Sequence, residues 1–401
     1  MFELRDYQKE ASEQGLEILK KYNLLIINFE VRTGKTHISL DIAKNYTNVL
    51  FVTKKKAISS IQDDYIAASH KFNLTIINYE SLHTVRNNYD LVICDESHTL
   101  GAFPKPSMRT KELRKYYYNS DFIFMTGTLM PESNSQIYHQ LFVSRHSPFQ
   151  QANFYNWHNL FGTPKFKYTS YGQTKDYSLV DYDKISKYIE KIKLSYTQKE
   201  AGFKGSITEE ILDVEMLPIT NQLISRLKKD LVIQGDDEVI LADTGVKLMQ
   251  KIHQLSSGTV KFESGNSQVI DVSKAEYIRD NFKGKKLAIF YKFKAELVAI
   301  KMHLDITQDI EEFNNTDKHI ALQIVSGREG INLSKADNIV YYNIDFSAVS
   351  YWQSRDRMTT QERQHNKVYW LFSKGGIEHK IYKTVRDKKD YTLQTFNRDE
   401  I

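Results

Sequence analysis

The sequence predicts an α/β protein of two lobes, each built on a parallel sheet, with a small, mainly helical segment between them. In residues 1–140, short apolar runs alternate with helical patterns, and the alternation resumes after residue 286. Continuous apolar strands alternating with helices are typical of parallel sheets covered on both faces. The chain length of 401 residues is enough for two or three domains of ordinary size.

Composition narrows the functional class without identifying it. A hydrophobic fraction of 41% with 26% charged residues is that of an ordinary globular protein, and a net charge of +5 suits a polyanionic partner. The single cysteine, Cys94, excludes an internal disulfide and a cysteine zinc site. The chain opens with mixed charges and has no apolar run near the ~18 residues of a membrane helix, so we expect a cytoplasmic protein.

In the first lobe, apolar runs predict five strands, and amphipathic patterns predict a leading helix and three helices between strands. The predicted strands are residues 23–29, 48–53, 74–78, 90–94 and 121–125. The predicted helices are residues 6–22, 35–45, 56–67 and 109–118. Ligands of parallel sheets bind beyond the carboxyl ends of the strands, so the residues that follow each strand are the first site candidates.

Residues 29–36, Phe-Glu-Val-Arg-Thr-Gly-Lys-Thr, stand between the first strand and a helix, which is the context of a phosphate-binding loop. Backbone amides at a helix start favour anions. Lys35 would neutralise phosphate charge, and the Thr36 hydroxyl would ligate Mg²⁺. Phe29 stands where the usual G-x-x-x-x-G-K-[ST] pattern has glycine, so this loop needs support from other motifs.

Two further strand ends supply that support. The apolar run 91–94 leads directly into Asp95 and Glu96, and paired acids at a strand end are suited to hydrolysis of Mg·ATP. Asp95 would position the metal, while Glu96 would orient and deprotonate the attacking water. Thr126-Gly127-Thr128 follows the next strand and is suited to sense the state of a bound nucleotide.

The segment 141–206 lacks the regular alternation and mixes aromatic with basic residues. One interpretation is a surface that stacks on nucleic acid. The other, which we favour, is a helical layer whose aromatic side chains are buried. Residues 181–196 are predicted to be helical because Ile185, Ile189 and Ile192 fall on one face.

In the second lobe, apolar patterns predict five strands and two helices. The predicted strands are residues 207–216, 286–291, 320–325, 338–342 and 367–371, and the helices are 218–232 and 245–255. This half has no Gly-Lys-Thr of its own.

The order of these motifs resembles superfamily 2 helicases and translocases, and more specifically their Snf2-like group. Several segments carry the likeness in the first half: Leu4 to Gln8 (the family's "LRPYQ"), Glu30 to Thr36 ("EMGLGKT"), Asn78 to Leu82 ("NYE"), and then Asp90 to Asp95, Lys105 to Arg109 and Met125 to Thr128, which follow the family's "DLVIIDE…K…TGT". The resemblance implies two RecA-like lobes, at residues 1–140 and 207–401, joined by the segment 141–206. It covers nearly the whole chain outside that segment.

The resemblance also implies roles for individual residues of the first lobe. ATP would be bound by Arg5, Gln8 (which would read adenine), Arg32, Thr33, Gly34, Lys35 and Thr36. Mg²⁺ would be bound by Thr36 and Asp95. Nucleic acid would be contacted by Thr53, Lys54 and Asn78, and coupling between the two ligands would pass through Thr126, Gly127 and Thr128.

Three segments of the second lobe resemble the family's motifs IV, V and VI. In the first two, Tyr291, Lys292 and Ser326 would contact nucleic acid, and Gly330 would approach ATP. In the third, Gln353 would couple the ligands and Arg357 would reach the ATP phosphates as a catalytic arginine. The family's second arginine falls at Thr360, and either Arg355 or Arg363 is available to replace it.

The function implied is that of a monomeric, ATP-dependent DNA translocase or helicase with Mg²⁺ as cofactor. It would act on double-stranded or branched DNA in replication, recombination or repair, in a bacterium or in the host cytoplasm if phage-encoded. Two alternatives stay open. The first is an RNA helicase, and the second is a non-catalytic DNA-binding module with a decayed ATP site, which Phe29, Arg32 and Thr360 suggest.

Overall fold

A computed structural model describes residues 3–169, 172–202, 206–235, 237–327, 333–355, 365–387 and 390–400. The chain divides into two compact units, Met1–Phe203 and Lys204–Ile401, which are referred to as unit 1 and unit 2. Each unit is described by itself.

Unit 1 is built on a six-stranded sheet in the order β3-β2-β4-β5-β1-β8, with every neighbouring pair parallel. Its strands are β1 (Leu24–Phe29), β2 (Asn48–Thr53), β3 (Asn73–Asn78), β4 (Leu91–Cys94), β5 (Asp121–Met125) and β8 (Lys193–Tyr196). A separate antiparallel hairpin is formed by β6 (Lys165–Thr169) and β7 (Gly172–Asp176). The helices are α1 (Asp6–Tyr22), α2 (Lys35–Ala43), α3 (Ile58–Ala67), α4 (Met108–Tyr117), α5 (Gln136–Leu141), α6 (Phe154–Phe161) and α7 (Tyr182–Ile189).

The central strands of unit 1 are apolar because both faces of the sheet are covered. On β1, Leu24 and Ile26 face one core cluster, while Leu25 and Ile27 face the other. Successive side chains of a strand point to opposite faces, so a continuous apolar run fills both cores. Helix α1 ends at Tyr22, and its C-cap residue Asn23 takes the left-handed conformation (φ 56°), which lets the chain turn into β1.

The segment after residue 141 belongs largely to unit 1. Phe154, Trp157 and Phe161 of α6 are buried in the unit's larger core cluster, whereas Tyr155 and Phe166 are exposed. The aromatic side chains of the segment are thus divided between the core and the surface.

The prediction of one helix over residues 181–196 is wrong in its second half. Helix α7 ends at Ile189, a short 3₁₀ turn follows, and residues 193–196 form β8, which pairs with β1. Ile185, Ile189 and Ile192 are all buried. The three isoleucines have helical spacing because all of them are buried, although the helix itself ends at Ile189.

Unit 2 contains a second six-stranded parallel sheet, in the order β15-β16-β14-β17-β18-β9. Its strands are β9 (Ser206–Val214), β14 (Leu287–Tyr291), β15 (Ile306–Thr307), β16 (His319–Gln323), β17 (Asn338–Tyr341) and β18 (His365–Ser373). Two small antiparallel pairs are β10 (Val232–Gln234) with β11 (Val239–Leu241), and β12 (Thr259–Lys261) with β13 (Ser267–Val269). The helices are α8 (Pro218–Asp230), α9 (Gly245–Ser256), α10 (Ser273–Asn281), α11 (Lys294–His303), α12 (Ile310–Asn315), α13 (Ile324–Gly327), α14 (Ala348–Arg355), α15 (Glu378–Arg386) and α16 (Leu393–Glu400).

The core of unit 2 is rich in aromatic side chains. Tyr341 stacks on Trp370 with ring centroids 3.8 Å apart and planes 13° from parallel, and Phe290 stacks on Tyr341.

Two α/β units on parallel sheets confirm the predicted fold class. Among the described residues, no helix is long and apolar enough to cross a membrane.

Candidate active site

The phosphate-loop candidate lies between β1 and α2, and its shape depends on residues with positive φ. Gly34 has φ 81°, and a Cβ at this position would lie 2.1 Å from Nε2 of Gln8, so only glycine fits without displacing that side chain. Arg32 takes φ 63°, a conformation that usually favours glycine. Lys35 donates from Nζ to the carbonyl oxygens of Phe29 (2.9 Å) and Glu30 (3.1 Å), which places its charge inside the loop.

The first turn of α1 is fastened to this loop. The Gln8 side-chain oxygen accepts a hydrogen bond from the Arg5 backbone N–H (3.0 Å), and Gln8 Nε2 lies 3.4 Å from the Thr33 carbonyl oxygen. The Tyr7 hydroxyl donates to the same Thr33 oxygen at 2.9 Å. Gln8 and Thr33 are buried, while Arg5 is exposed. The candidate adenine reader and the candidate phosphate loop are therefore directly connected.

Asp95 follows β4 and is held on both carboxylate oxygens. Oδ2 accepts a hydrogen bond from the Thr53 hydroxyl (2.8 Å), and Oδ1 accepts one from the Glu96 backbone N–H (3.0 Å). Loss of solvation, followed by the nearby Glu96 carboxylate, raises the pKa of Asp95 to about 6, with Thr53 and Lys35 opposing the shift. The hydrogen bonds from Thr53 and Glu96 thus hold the Asp95 carboxylate in one orientation at the end of β4.

Thr53 has a different partner from the one predicted for it. Its side chain was expected to contact nucleic acid, but the residue is fully buried and its hydroxyl is used by Asp95. This contact fixes the orientation of Asp95 and leaves Thr53 no exposed surface.

The second acid, Glu96, is linked to the coupling candidates through a histidine. Glu96 has a positive φ of 48°, and its Oε2 lies 3.3 Å from Nδ1 of His98. The same nitrogen lies 3.0 Å from the Thr126 hydroxyl, which in turn donates to the Thr128 carbonyl oxygen at 2.9 Å. His98 had been given no role from sequence, although its position two residues after Glu96 was the available signal.

Gly127, which follows β5, lies close to the phosphate loop. A Cβ at Gly127 would lie 3.6 Å from the Phe29 carbonyl oxygen and 3.7 Å from Cγ1 of Val31. Strand β5 lies between β4 and β1, so the residues after these three strands share one edge of the sheet. The candidate catalytic residues of unit 1 are thus neighbours.

The residues present fit a magnesium ion carried in with a triphosphate. No cluster of three or more metal-ligating side chains occurs in the part of the chain that the structure describes. Magnesium in nucleotide sites keeps several waters and needs only one or two protein oxygens besides phosphate oxygens. The Asp95 carboxylate and the Thr36 hydroxyl would supply such oxygens.

The other nucleic-acid candidates of unit 1 lie after β2 and β3. Lys54 is half-buried and precedes the 3₁₀ turn Lys55–Ala57. Asn78 caps the 3₁₀ helix Tyr79–Thr84, because its side-chain oxygen accepts a hydrogen bond from the Ser81 N–H at 3.0 Å.

Two candidates of unit 2 point into the unit. Tyr291 is buried, and its hydroxyl accepts a hydrogen bond from Gln308 at 3.0 Å. Lys292 forms an ion pair with Asp345 (2.9 Å), and its Nζ lies 3.6 Å from the ring centre of Phe346. Burial lowers the pKa of Lys292, while Asp345 opposes this shift.

The remaining candidates are placed only in part. Ser326 lies in α13, and Gln353 and Arg355 lie in α14. Gly330, Arg357, Thr360 and Arg363 fall outside the described residues.

Comparison with known proteins gives structural likeness only. No family model and no curated protein matches the sequence. A solved structure of the Sulfolobus solfataricus SWI2/SNF2 ATPase core in complex with dsDNA is 14% identical, with a TM-score of 0.45, over 100% of this chain and 95% of that one. The Sulfolobus solfataricus SWI2/SNF2 ATPase core domain is 15% identical with the same TM-score, over 100% of this chain and 91% of that one.

Proposed function

We propose that this chain is a nucleic-acid-stimulated ATPase that moves along or remodels duplex or branched DNA. The observation that carries the proposal is the shared edge of the unit 1 sheet. There, His98 contacts both Glu96 and Thr126, Gly127 lies beside the loop that carries Lys35, and the Lys35 charge acts on Asp95. Arg32 and Glu96 also take positive φ at this edge, a strained conformation that is frequent at functional sites.

In this proposal the residues of unit 1 carry the chemistry. Lys35 and the loop amides bind the β- and γ-phosphates, and Arg5 and Gln8 contribute to nucleotide binding. Glu96 orients a water molecule and accepts its proton as the new P–O bond forms and the bond to the bridging oxygen breaks. Asp95 and Thr36 would hold Mg²⁺, which would neutralise developing charge on the phosphates.

The roles in unit 2 rest on the sequence resemblance. Gly330 and Arg357 would bind ATP, Gln353 would couple ATP hydrolysis to DNA, and Ser326 would contact the DNA backbone, a role also proposed for Lys54 and Asn78. We extend the proposal to a monomer that acts in the cytoplasm of a bacterium or of a phage-infected host, in replication, recombination or repair.

The decisive experiment is steady-state ATP hydrolysis by the whole chain with duplex DNA, single-stranded DNA or RNA. We expect stimulation by DNA, and Glu96→Gln should lower the rate at least 100-fold while nucleotide binding persists. If the Glu96→Gln variant still binds nucleotide, its lower rate reflects a slower chemical step and not a damaged binding site.

Each alternative gives a different outcome in the same assay. Stimulation by RNA alone would establish the RNA helicase alternative. Binding of DNA without hydrolysis in any condition would establish the non-catalytic alternative and overturn the proposal.

A further inference from the structure

The phosphate loop is held from outside by the last strand of unit 1 and the turn that follows it. Strand β8 pairs with β1 so that Phe29 faces Tyr196, and the Glu30 N–H donates to the Tyr196 carbonyl oxygen at 3.0 Å. The Tyr196 ring packs on Phe29 and stacks on Tyr7, each at 5.4 Å between ring centres. Phe29 therefore fills a packing position next to β8.

Gln198 makes two hydrogen bonds to the loop itself. Its backbone N–H donates to Oε2 of Glu30 (2.7 Å), and its side-chain Nε2 donates to the Val31 carbonyl oxygen (3.0 Å). Glu30 and Val31 are the two residues immediately before Arg32, which takes the positive φ. Gln198 thus fixes the peptides that lead into the strained part of the loop.

The turn that carries Gln198 is itself well braced. The Glu200 carboxylate accepts hydrogen bonds from the Thr197 N–H (2.7 Å) and the Thr197 hydroxyl (2.8 Å). The Ala201 N–H donates to the Thr197 carbonyl oxygen at 3.1 Å, and Ala201 is buried. A braced turn can hold a neighbouring loop because it has little freedom of its own to lose.

We propose that Gln198 is a positioning residue for nucleotide binding, which holds the phosphate loop in its binding shape through Glu30 and Val31. The inference rests on the proposed function, since it assigns a support to the same site. The loop departs from the usual glycine pattern at Phe29 and Arg32, and the Tyr196–Gln198 segment supplies from outside the order that this loop needs. Among the described residues, both hydrogen bonds of Gln198 run to the loop, so its effect is expected on nucleotide binding and not on the chemical step.

The test compares Gln198→Ala with Lys199→Ala, a change at the next, exposed position of the same turn. Removing one preorganising hydrogen bond should raise the Kd for Mg·ATP, and the KM for ATP, about fivefold. The kcat with saturating DNA should stay within about twofold of wild type, and Lys199→Ala should leave both constants unchanged. Binding is measured by calorimetry with Glu96→Gln as the background, so that hydrolysis does not interfere.

A second pair of variants tests the same contact from the loop side. Glu30→Gln keeps an oxygen for the Gln198 N–H and should bind Mg·ATP within about twofold of wild type, whereas Glu30→Ala should resemble Gln198→Ala. Equal affinity in Gln198→Ala and Lys199→Ala, or a fall in kcat with unchanged KM, would overturn the inference alone. A wild-type chain that binds no Mg·ATP would instead overturn the proposed function.

Discussion

The aspartates at the carboxyl edges of the two sheets have different kinds of partner. In unit 1, Asp95 follows β4, and its carboxylate oxygens accept hydrogen bonds from the Thr53 hydroxyl and the Glu96 backbone N–H. In unit 2, Asp345 follows β17 and is paired with Lys292 at 2.9 Å. The same architecture thus supports a carboxylate suited to an external cation in one unit and an internal ion pair in the other.

The pKa shifts of the two aspartates express this difference. Loss of solvation and Glu96 raise the pKa of Asp95 to about 6. Burial would also raise the pKa of Asp345, but Lys292, together with hydrogen bonds from Ser350 and the Phe346 amide, brings it below its usual value. The two aspartates therefore differ in electrostatic environment, and the perturbed pKa of Asp95 makes the unit 1 edge the functional-site candidate.

Unit 2 carries further charged groups locked into its interior. Lys274 and Glu378 are both fully buried and lie 2.9 Å apart, with Tyr342 and Ser373 as additional hydrogen-bond partners. Such a pair fixes the packing of α10 on α15, because either charge left alone in the core would be costly.

The largest expected effect comes from breaking this interior pair. Lys274→Ala leaves the Glu378 carboxylate buried without its cation, and should lower the free energy of unfolding by about 3–5 kcal/mol. The exposed Lys283→Ala in the same unit should change it by less than about 0.5 kcal/mol. Urea unfolding followed by tryptophan fluorescence measures both, and equal stability of the two variants would show that the pair has no structural role.

In the absence of Mg²⁺, a change of pH should have a smaller effect on the free energy of unfolding. The contributions of Asp95 in unit 1 and Asp345 in unit 2 should have opposite signs. The folded state holds the Asp95 proton more tightly than the unfolded state, so this group costs stability as pH rises from about 4 to above 6, by about 3 kcal/mol at most. Asp95→Asn should therefore gain stability relative to wild type as pH rises through this window. Chemical denaturation at pH 4.5, 6 and 7.5 measures the difference.

Asp345→Asn is the matched variant in unit 2. Its folded-state pKa is lowered, so the carboxylate contributes stability above its ordinary pKa, and this contribution is lost as pH falls. Asp345→Asn should be less stable than wild type at pH 7.5, and the difference should shrink towards acid pH. The same trend in both variants would contradict the assignment of distinct roles to the two edges.

The sequence allowed the fold and the local motifs to be predicted, but not the contacts between distant segments. The Lys35 loop and the Asp95-Glu96 pair were identifiable because each lies at the end of a continuous apolar strand. The hydrogen bond between Thr53 and Asp95 joins two different strand ends, so neither local pattern revealed it. Strand β8 was hidden because the helical spacing of Ile185 and Ile189 extends to Ile192, beyond the end of α7.

The smallest expected effect concerns the link between Glu96 and the Thr126–Thr128 turn. His98 touches both groups, and its imidazole connects them through side chains. In Thr126→Val the hydroxyl is lost and the side-chain shape is nearly kept, so the contact to His98 and the bond to the Thr128 carbonyl both disappear. Basal ATP hydrolysis should fall less than about threefold, while stimulation by DNA should fall about tenfold, because the hydroxyl belongs to a shared hydrogen-bond network with His98 and the Thr128 backbone.

Thr126→Ser is the control for this change because it retains the hydroxyl, and it should keep most of the stimulation. His98→Ala should reproduce the effect of Thr126→Val, and the double variant should be no worse than either single one, since both changes remove the same link. Additive losses in the double variant would mean that His98 and Thr126 act separately. In that case the edge of unit 1 would consist of independent groups, and the contrast with the interlocked charges of unit 2 would be greater still.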